Sequence, residues 1–215
     1  PQFRHDGKPI DVVTTDKPAY YPLAPRIEGV NVAGKTWQLS QISPRAVRLR
    51  LDADDVTIER KLEAGSGPYQ IWATTTITNH GSQQRKARVV ETTHHYVERH
   101  AESGGIPLLP SRSSAISQGL CHHGNDLERN DRSTLSEPHE WKGNIRYVAL
   151  ENVYFLTALV AANDANGSGA AQACKLSSSD RGRTSSGDPV GSLFEAQLVQ
   201  PEIAVPPHSQ AKMRV

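Results

Sequence analysis

Histidine is the residue type in this chain best suited to chemistry. Nine are present: His5, His80, His94, His95, His100, His122, His123, His139 and His208. A histidine-held zinc ion needs converging ligands, with i,i+2 spacing on a strand or i,i+4 on a helix, plus a third donor. The adjacent pairs His94-His95 and His122-His123 point to opposite faces of an extended chain, so each pair offers one ligand at most. His94 or His95 could join His122 and Glu91 across strands, but nothing in the spacing requires it. The histidines therefore read as surface and loop residues, with no metal expected. Asp52, Asp54 and Asp55 make an acidic turn without the glycine and distal glutamate of a calcium loop, and read as a solvated turn. Nucleophile elbow, phosphate-cradling glycine loop and regularly spaced acid pair are all missing, so no cofactor is expected. For general acid–base work the chain offers His94 or His95 with Glu195 or Glu151.

The two cysteines, Cys121 and Cys174, fall in stretches rich in Gly, Ser and Asn that read as loops. In an oxidising compartment they could close a loop of about 54 residues worth roughly 4 kcal/mol, and two free thiols are the alternative.

The elements that must position these groups are strands. At 215 residues the chain suits one all-β domain, and no charged or Pro-rich linker divides it, so residues 1–215 are expected to form a single domain. Only 36% of residues are hydrophobic and 16 are Gly and 14 Pro, which implies many turns around a modest core. The net charge of +1 argues against a nucleic-acid partner. Arg85, Lys86 and Arg88 are the nearest thing to a basic patch and read as a solvated strand edge. No apolar run is long enough to cross a membrane as a helix, and no leader is visible. Opening at Pro1 and stopping inside a strand at Val215, the chain reads as an excised soluble piece.

Alternation predicts the strands. Ala46–Leu51 sets Val47, Leu49 and Leu51 against Arg48 and Arg50. Val56–Leu62, Tyr69–Thr78 and Arg85–His100 alternate in the same way. Asn79-His80-Gly81-Ser82 is a turn. Val30–Leu39, Leu193–Val199, Ile203–Val205 and Ala211–Val215 complete the set, and Gly104–Pro138 and Asn163–Val190 read as long loops. The longest apolar passage is Trp141–Ala161. It predicts two strands, Asn144–Leu150 and Val153–Ala161, at the centre of a packed sheet stack. A helix competes over Val153–Val160, but the β-branched and aromatic content favours a strand. Tyr69, Trp72, Trp141, Tyr147, Tyr154 and Phe155 are expected in the core, together with Trp37. The whole predicts an all-β, antiparallel sandwich with long irregular loops.

Three stretches resemble the YidC membrane protein insertases of bacterial inner membranes. Val56–Asn79, VTIERKLEAGSGPYQIWATTTITN, resembles the passage in which a strand ending in Lys precedes a Tyr-led strand closed by Asn. Trp141–Ala161 resembles the tryptophan- and YF-containing hairpin of that family. Leu198–Val215, with its Pro206-Pro207-His208-Ser209 turn, resembles the last hairpin. Gly7–Pro22 loosely resembles the first strand and proline loop. The resemblance implies the large periplasmic domain, a twisted β-super-sandwich similar to galactose mutarotase and carbohydrate-binding folds. It implies a parent embedded in the inner membrane, and contacts with Sec translocon accessory subunits and nascent membrane proteins. Insertion activity would lie in a membrane groove outside this chain, so no catalytic residue carries over. The cysteines and the two long loops depart from the family pattern. A periplasmic location would favour the disulfide.

Two readings follow. One is a non-catalytic, monomeric docking domain of an insertase. The other is a secreted carbohydrate-binding or mutarotase-like sandwich using the His–carboxylate pairs above, for which the aromatic residues that stack on sugars are scarce.

Overall fold

The computed structural model describes residues 3–5, 8–10, 23, 25–98, 117–152, 154–162, 170–183, 185, 187 and 189–215. Val12-Val13, the proline loop through Tyr20-Tyr21, His100, residues 104–116 of the first long loop, Val153 and residues 163–169 lie outside them.

The chain folds almost wholly into strands. β1 (Phe3–His5) pairs with β2 (Lys8–Ile10). Then come β3 (Arg26–Glu28), β4 (Gln38–Ser43), β5 (Ala46–Ala53), β6 (Val56–Ala64), β7 (Ile71–Asn79) and β8 (Arg85–Glu98). β9 (Gln118–His123) and β10 (Asp126–Asn130) precede a single 3-10 turn at Thr134–Ser136. β11 (His139–Glu151), β12 (Leu156–Val160), β13 (Ala171–Arg183), β14 (Pro189–Val199), β15 (Ile203–Val205) and β16 (Ser209–Arg214) follow. Contacts group the chain into two compact units. One holds residues 1–24, 91–160 and 171–198, and the other holds 25–90, 161–170 and 199–215.

In the second unit, β16-β7-β6-β5-β4 form an antiparallel sheet. β3 and β15 both pair with the first half of β8. Alternation makes the core: Leu51, Ala53, Val56, Ile58 and Ile77 meet Ile27, Ala87, Val89 and Val205. This is sheet-on-sheet packing of the expected kind. Asn79 pins one corner. It is fully buried, and its Nδ2 donates to the carbonyls of Gln83, Val205 and Pro206 at 2.7, 3.0 and 3.1 Å. Its Oδ1 accepts from the Gly81 amide at 3.0 Å.

In the first unit, β11 changes partners along its length. His139–Lys142 and Ile145 pair with β13, Ile145–Glu151 pairs with β9, and Tyr147–Glu151 pairs with β12. The switch falls at Gly143 and Asn144, both with positive φ (81° and 47°), which breaks the pleat. β9 and β13 thereby face each other. A Cβ on Gly119 would lie 2.9 Å from a Leu135 methyl and 3.0 Å from a Leu176 methyl, so a larger residue would require those side chains to shift. Cys121 on β9 and Cys174 on β13 are both fully buried and joined as a disulfide, with Cα atoms 6.3 Å apart.

Several expectations change. The stretch Gly104–Pro138 contains the β9–β10 hairpin, closed by a two-residue Gly124-Asn125 loop with Gly124 at φ 56°. Asn163–Val190 contains β13, whose small and polar residues are held in the sheet by β11. The cysteines therefore sit on strands. Val30–Leu39 is irregular until β4 begins at Gln38. β11 is central, but β12 has β11 as its one described partner, and Leu156 and Val160 are exposed.

Candidate functional site

β8 alternates, so His94 and His95 face opposite ways. His94 is 6% exposed, and its Nε2 lies 3.1 Å from Glu195 Oε2 on β14. A second contact to Glu195 comes from Gln197, whose Nε2 donates to Oε1. One of the expected acid–base pairs thus exists, inside the packed unit.

His95 borders a small cleft with Leu150, Glu151, Asn152, Phe155 and Thr157, about 10 Å³ in volume. That is room for a single water. Burial pushes the His95 imidazole below its ordinary pKa, which keeps it neutral. Its Nε2 is 3.5 Å from Asn152 Nδ2. Asn152 shapes the loop between β11 and β12: its Oδ1 accepts from the Tyr154 and Phe155 amides at 2.8 Å each. Glu151 is engaged on its other side by Arg129, which donates to Oε1 at 2.5 Å.

The remaining described histidines are separate. The His122 ring tilts against Tyr147, with centroids 5.2 Å apart. His123 pairs with Glu128 at 3.6 Å. His139 stacks on Trp141 at 5.7 Å. His122 is therefore not gathered with His94 or His95 and Glu91, and no metal-holding group of three occurs among the described residues.

The acidic turn is filled by protein cations and hydroxyls. Arg50 donates to both Asp52 oxygens, at 3.2 and 3.0 Å, and Thr57 donates to Asp52 at 2.7 Å. These bonds hold the Asp52 carboxyl below the usual range, Arg50 first. Arg85 does the same for Asp55 from 2.7 Å. Thr57 Oγ1 also lies 2.9 Å from His80 Nε2. Because the hydroxyl proton goes to Asp52, the imidazole donates and the threonine is not poised as a nucleophile. Sequence reading missed this cluster; the Asn79-His80-Gly81 turn was its available signal. Arg85, Lys86 and Arg88 each find a carboxylate, on Asp55, Glu202 and Glu28.

The expected aromatic core divides. Tyr69 is 77% exposed and Tyr154 76%, because β7 starts after Tyr69 and Tyr154 sits in the β11–β12 loop. Trp72, Trp141, Tyr147 and Phe155 are half-buried. Arg214 covers the Trp72 ring at 4.1 Å.

Residues 7–215 match a family described as the YidC periplasmic domain. No curated protein matches the chain. Among solved structures, it is similar to a galactose mutarotase related enzyme from Lactobacillus acidophilus at 7% identity, covering 83% of this chain and 69% of that one, with a TM-score of 0.47. No helix of the described residues is long and apolar enough to cross a membrane.

Proposed function

This chain belongs to the YidC periplasmic domain family, and from that premise we propose that it is a non-catalytic docking domain of an inner-membrane protein insertase. Residues 1–215 act as one domain on the periplasmic face, while the parent is a multi-pass membrane protein. Its partners are Sec translocon accessory subunits and segments of nascent membrane proteins. The observation that carries this reading is the family match along nearly the whole chain.

The geometry of the histidines supports it. A sugar-active site needs an acid–base pair facing a space the size of a sugar ring. His94 and Glu195 are paired where His94 is buried, and the His95 cleft holds one water. Among the described residues, neither arrangement borders a space of that size.

The test uses the intact parent protein in its membrane. Photo-crosslinking side chains at Leu39 and Tyr154, one exposed position in each unit, should join it to Sec accessory subunits or to an arrested nascent membrane protein. If neither position yields either product, the docking reading fails. Interconversion of galactose anomers by the purified chain, lost in His94→Gln, would move the function to the sugar-active alternative.

A further inference from the structure

Edge strands normally carry charges, proline or bulges that discourage pairing with another chain. Two described edges here obey that rule. β10 carries Asp126, Glu128 and Arg129, and β16 carries Lys212 and Arg214. β4 does not. It reads Gln-Leu-Ser-Gln-Ile-Ser, without a charge, and all six of its residues are exposed. It ends its sheet, with β5 as its one described partner. Leu39 is 70% exposed and Ile42 46%. The Ser40 hydroxyl turns toward β5, donating to the Arg48 carbonyl at 3.4 Å, so it does not cover the open edge.

We infer that β4 is a strand-addition site for an extended, uncharged segment of another polypeptide with apolar residues at every second position. This rests on the docking reading above and names the surface that would serve it. The two faces beside the edge set the pattern. On one face the rows run Leu39–Leu49–Arg60 and Gln41–Val47–Leu62, so Leu39, Leu49, Val47 and Leu62 make an apolar patch beside the edge, bordered by Gln41 and by the buried Arg60. On the other face Gln38 and Ser40 lie opposite Arg50 and Arg48. Those arginines are already paired with Asp52 and Glu59, leaving no net call for a charged guest. A strand added to β4 would continue both faces only if its own residues alternate apolar and polar, the main chain giving affinity and the alternate side chains selectivity.

A second copy of β4 fits less well. The regular register runs from Gln38 to Gln41 before a bulge interrupts it. Self-pairing would engage a handful of residues a side, where stable interfaces use about 20–30.

The test titrates the chain with the capped peptide Ac-Ser-Val-Thr-Val-Ser-Val-Thr-NH2 and follows amide exchange by mass spectrometry. Residues 38–43 should exchange more slowly with peptide bound. Leu39→Lys/Ile42→Lys should weaken binding about tenfold with an unchanged thermal midpoint, since both side chains face water. Leu39→Thr/Ile42→Thr, uncharged and strand-favouring, should retain it. The inference is overturned if the peptide leaves residues 38–43 unprotected, or if the lysine pair binds it as well as the parent chain does. Protection that rises with protein concentration without peptide would also overturn it and assign the edge to a second copy. If the lysine pair, with the crosslinker at Tyr154, keeps its partner crosslinks in the intact parent, the edge assignment fails and docking survives; absence of crosslinks from both Leu39 and Tyr154 in the otherwise unaltered parent sinks docking itself.

Discussion

Opening the Cys121–Cys174 bridge should remove roughly 4 kcal/mol of stability. The bridge spans 53 positions of sequence. The chain-entropy model gives a loss of about 14 cal/mol/K for a loop of that length, hence about 4 kcal/mol at 25 °C. For a chain of this size that corresponds to a fall in melting temperature of about 8–16 °C. Both sulfurs are fully buried where β9 faces β13, so dithiothreitol alone should leave the folded protein oxidised. Reduction should proceed only once denaturant opens the fold. The assay compares urea unfolding of the oxidised protein, the protein reduced in denaturant and refolded, and Cys121→Ala/Cys174→Ala. The reduced and double-alanine forms should unfold at similar, lower urea concentrations, with the alanine form somewhat the worse for its small cavity. A thiol titration in denaturant without reductant should find no free thiol. Two free thiols in that titration, or a stability difference below about 1 kcal/mol between oxidised and double-alanine forms, would refute the reasoning.

Asn79→Ala should cost about 2–3 kcal/mol, because three buried or half-buried carbonyls lose their donor at once; an unchanged urea midpoint would show that water replaces those bonds. His95 makes stability fall on the acid side. Its folded pKa lies below the ordinary 6.5, so the unfolded chain binds the proton first as pH drops through about 6.5. The loss then grows until pH reaches the lowered folded value. His95→Gln should flatten that slope between pH 7.5 and 5.5, and equal slopes in the two proteins would contradict the assignment.

How much of this was legible in the sequence depended on local pattern. β5, β6, β7 and β8 could be read because Val, Leu and Ile alternate with Arg, Glu and Thr in each; burial follows that alternation in β5 and β7, whereas β6 and β8 bury residues on both faces. The turn at Asn79 could be read from its residues, though not the three carbonyls it holds, one of which is 127 residues away. β13 could not be read. Its sequence, Ala-Gln-Ala-Cys-Lys-Leu-Ser-Ser-Ser-Asp-Arg-Gly-Arg, has weak strand propensity, and pairing with β11 makes it extended. The β9–β10 hairpin did carry a signal, the Gly124-Asn125 pair between alternating segments, but the surrounding Gly, Ser and His residues resemble loop composition. Of the candidate site, His94 with Glu195 was legible as one of the possible pairings of His94 or His95 with Glu195 or Glu151, and its burial was not legible.

Alternation assigns residues to faces, but it does not say which faces or edges become covered. Tyr69 and Tyr154 are apolar enough for a core and lie next to strands, yet both are exposed, each in the turn beside a strand and not in the pleat. The same limit makes β4 informative. By composition it is an ordinary short strand beside β5, and its position at the end of its sheet comes from the order β16-β7-β6-β5-β4, which long-range pairing sets. Only when that order is known does the missing charge in Gln38–Ser43 acquire meaning. On a central strand it would be unremarked; on an edge it leaves unguarded the one feature that β10 and β16 guard with charges. On the docking reading proposed above, the surface that would serve it is set by where topology stops a sheet, while His94, the histidine of the one acid–base pair that forms, is buried by the packing of its own unit.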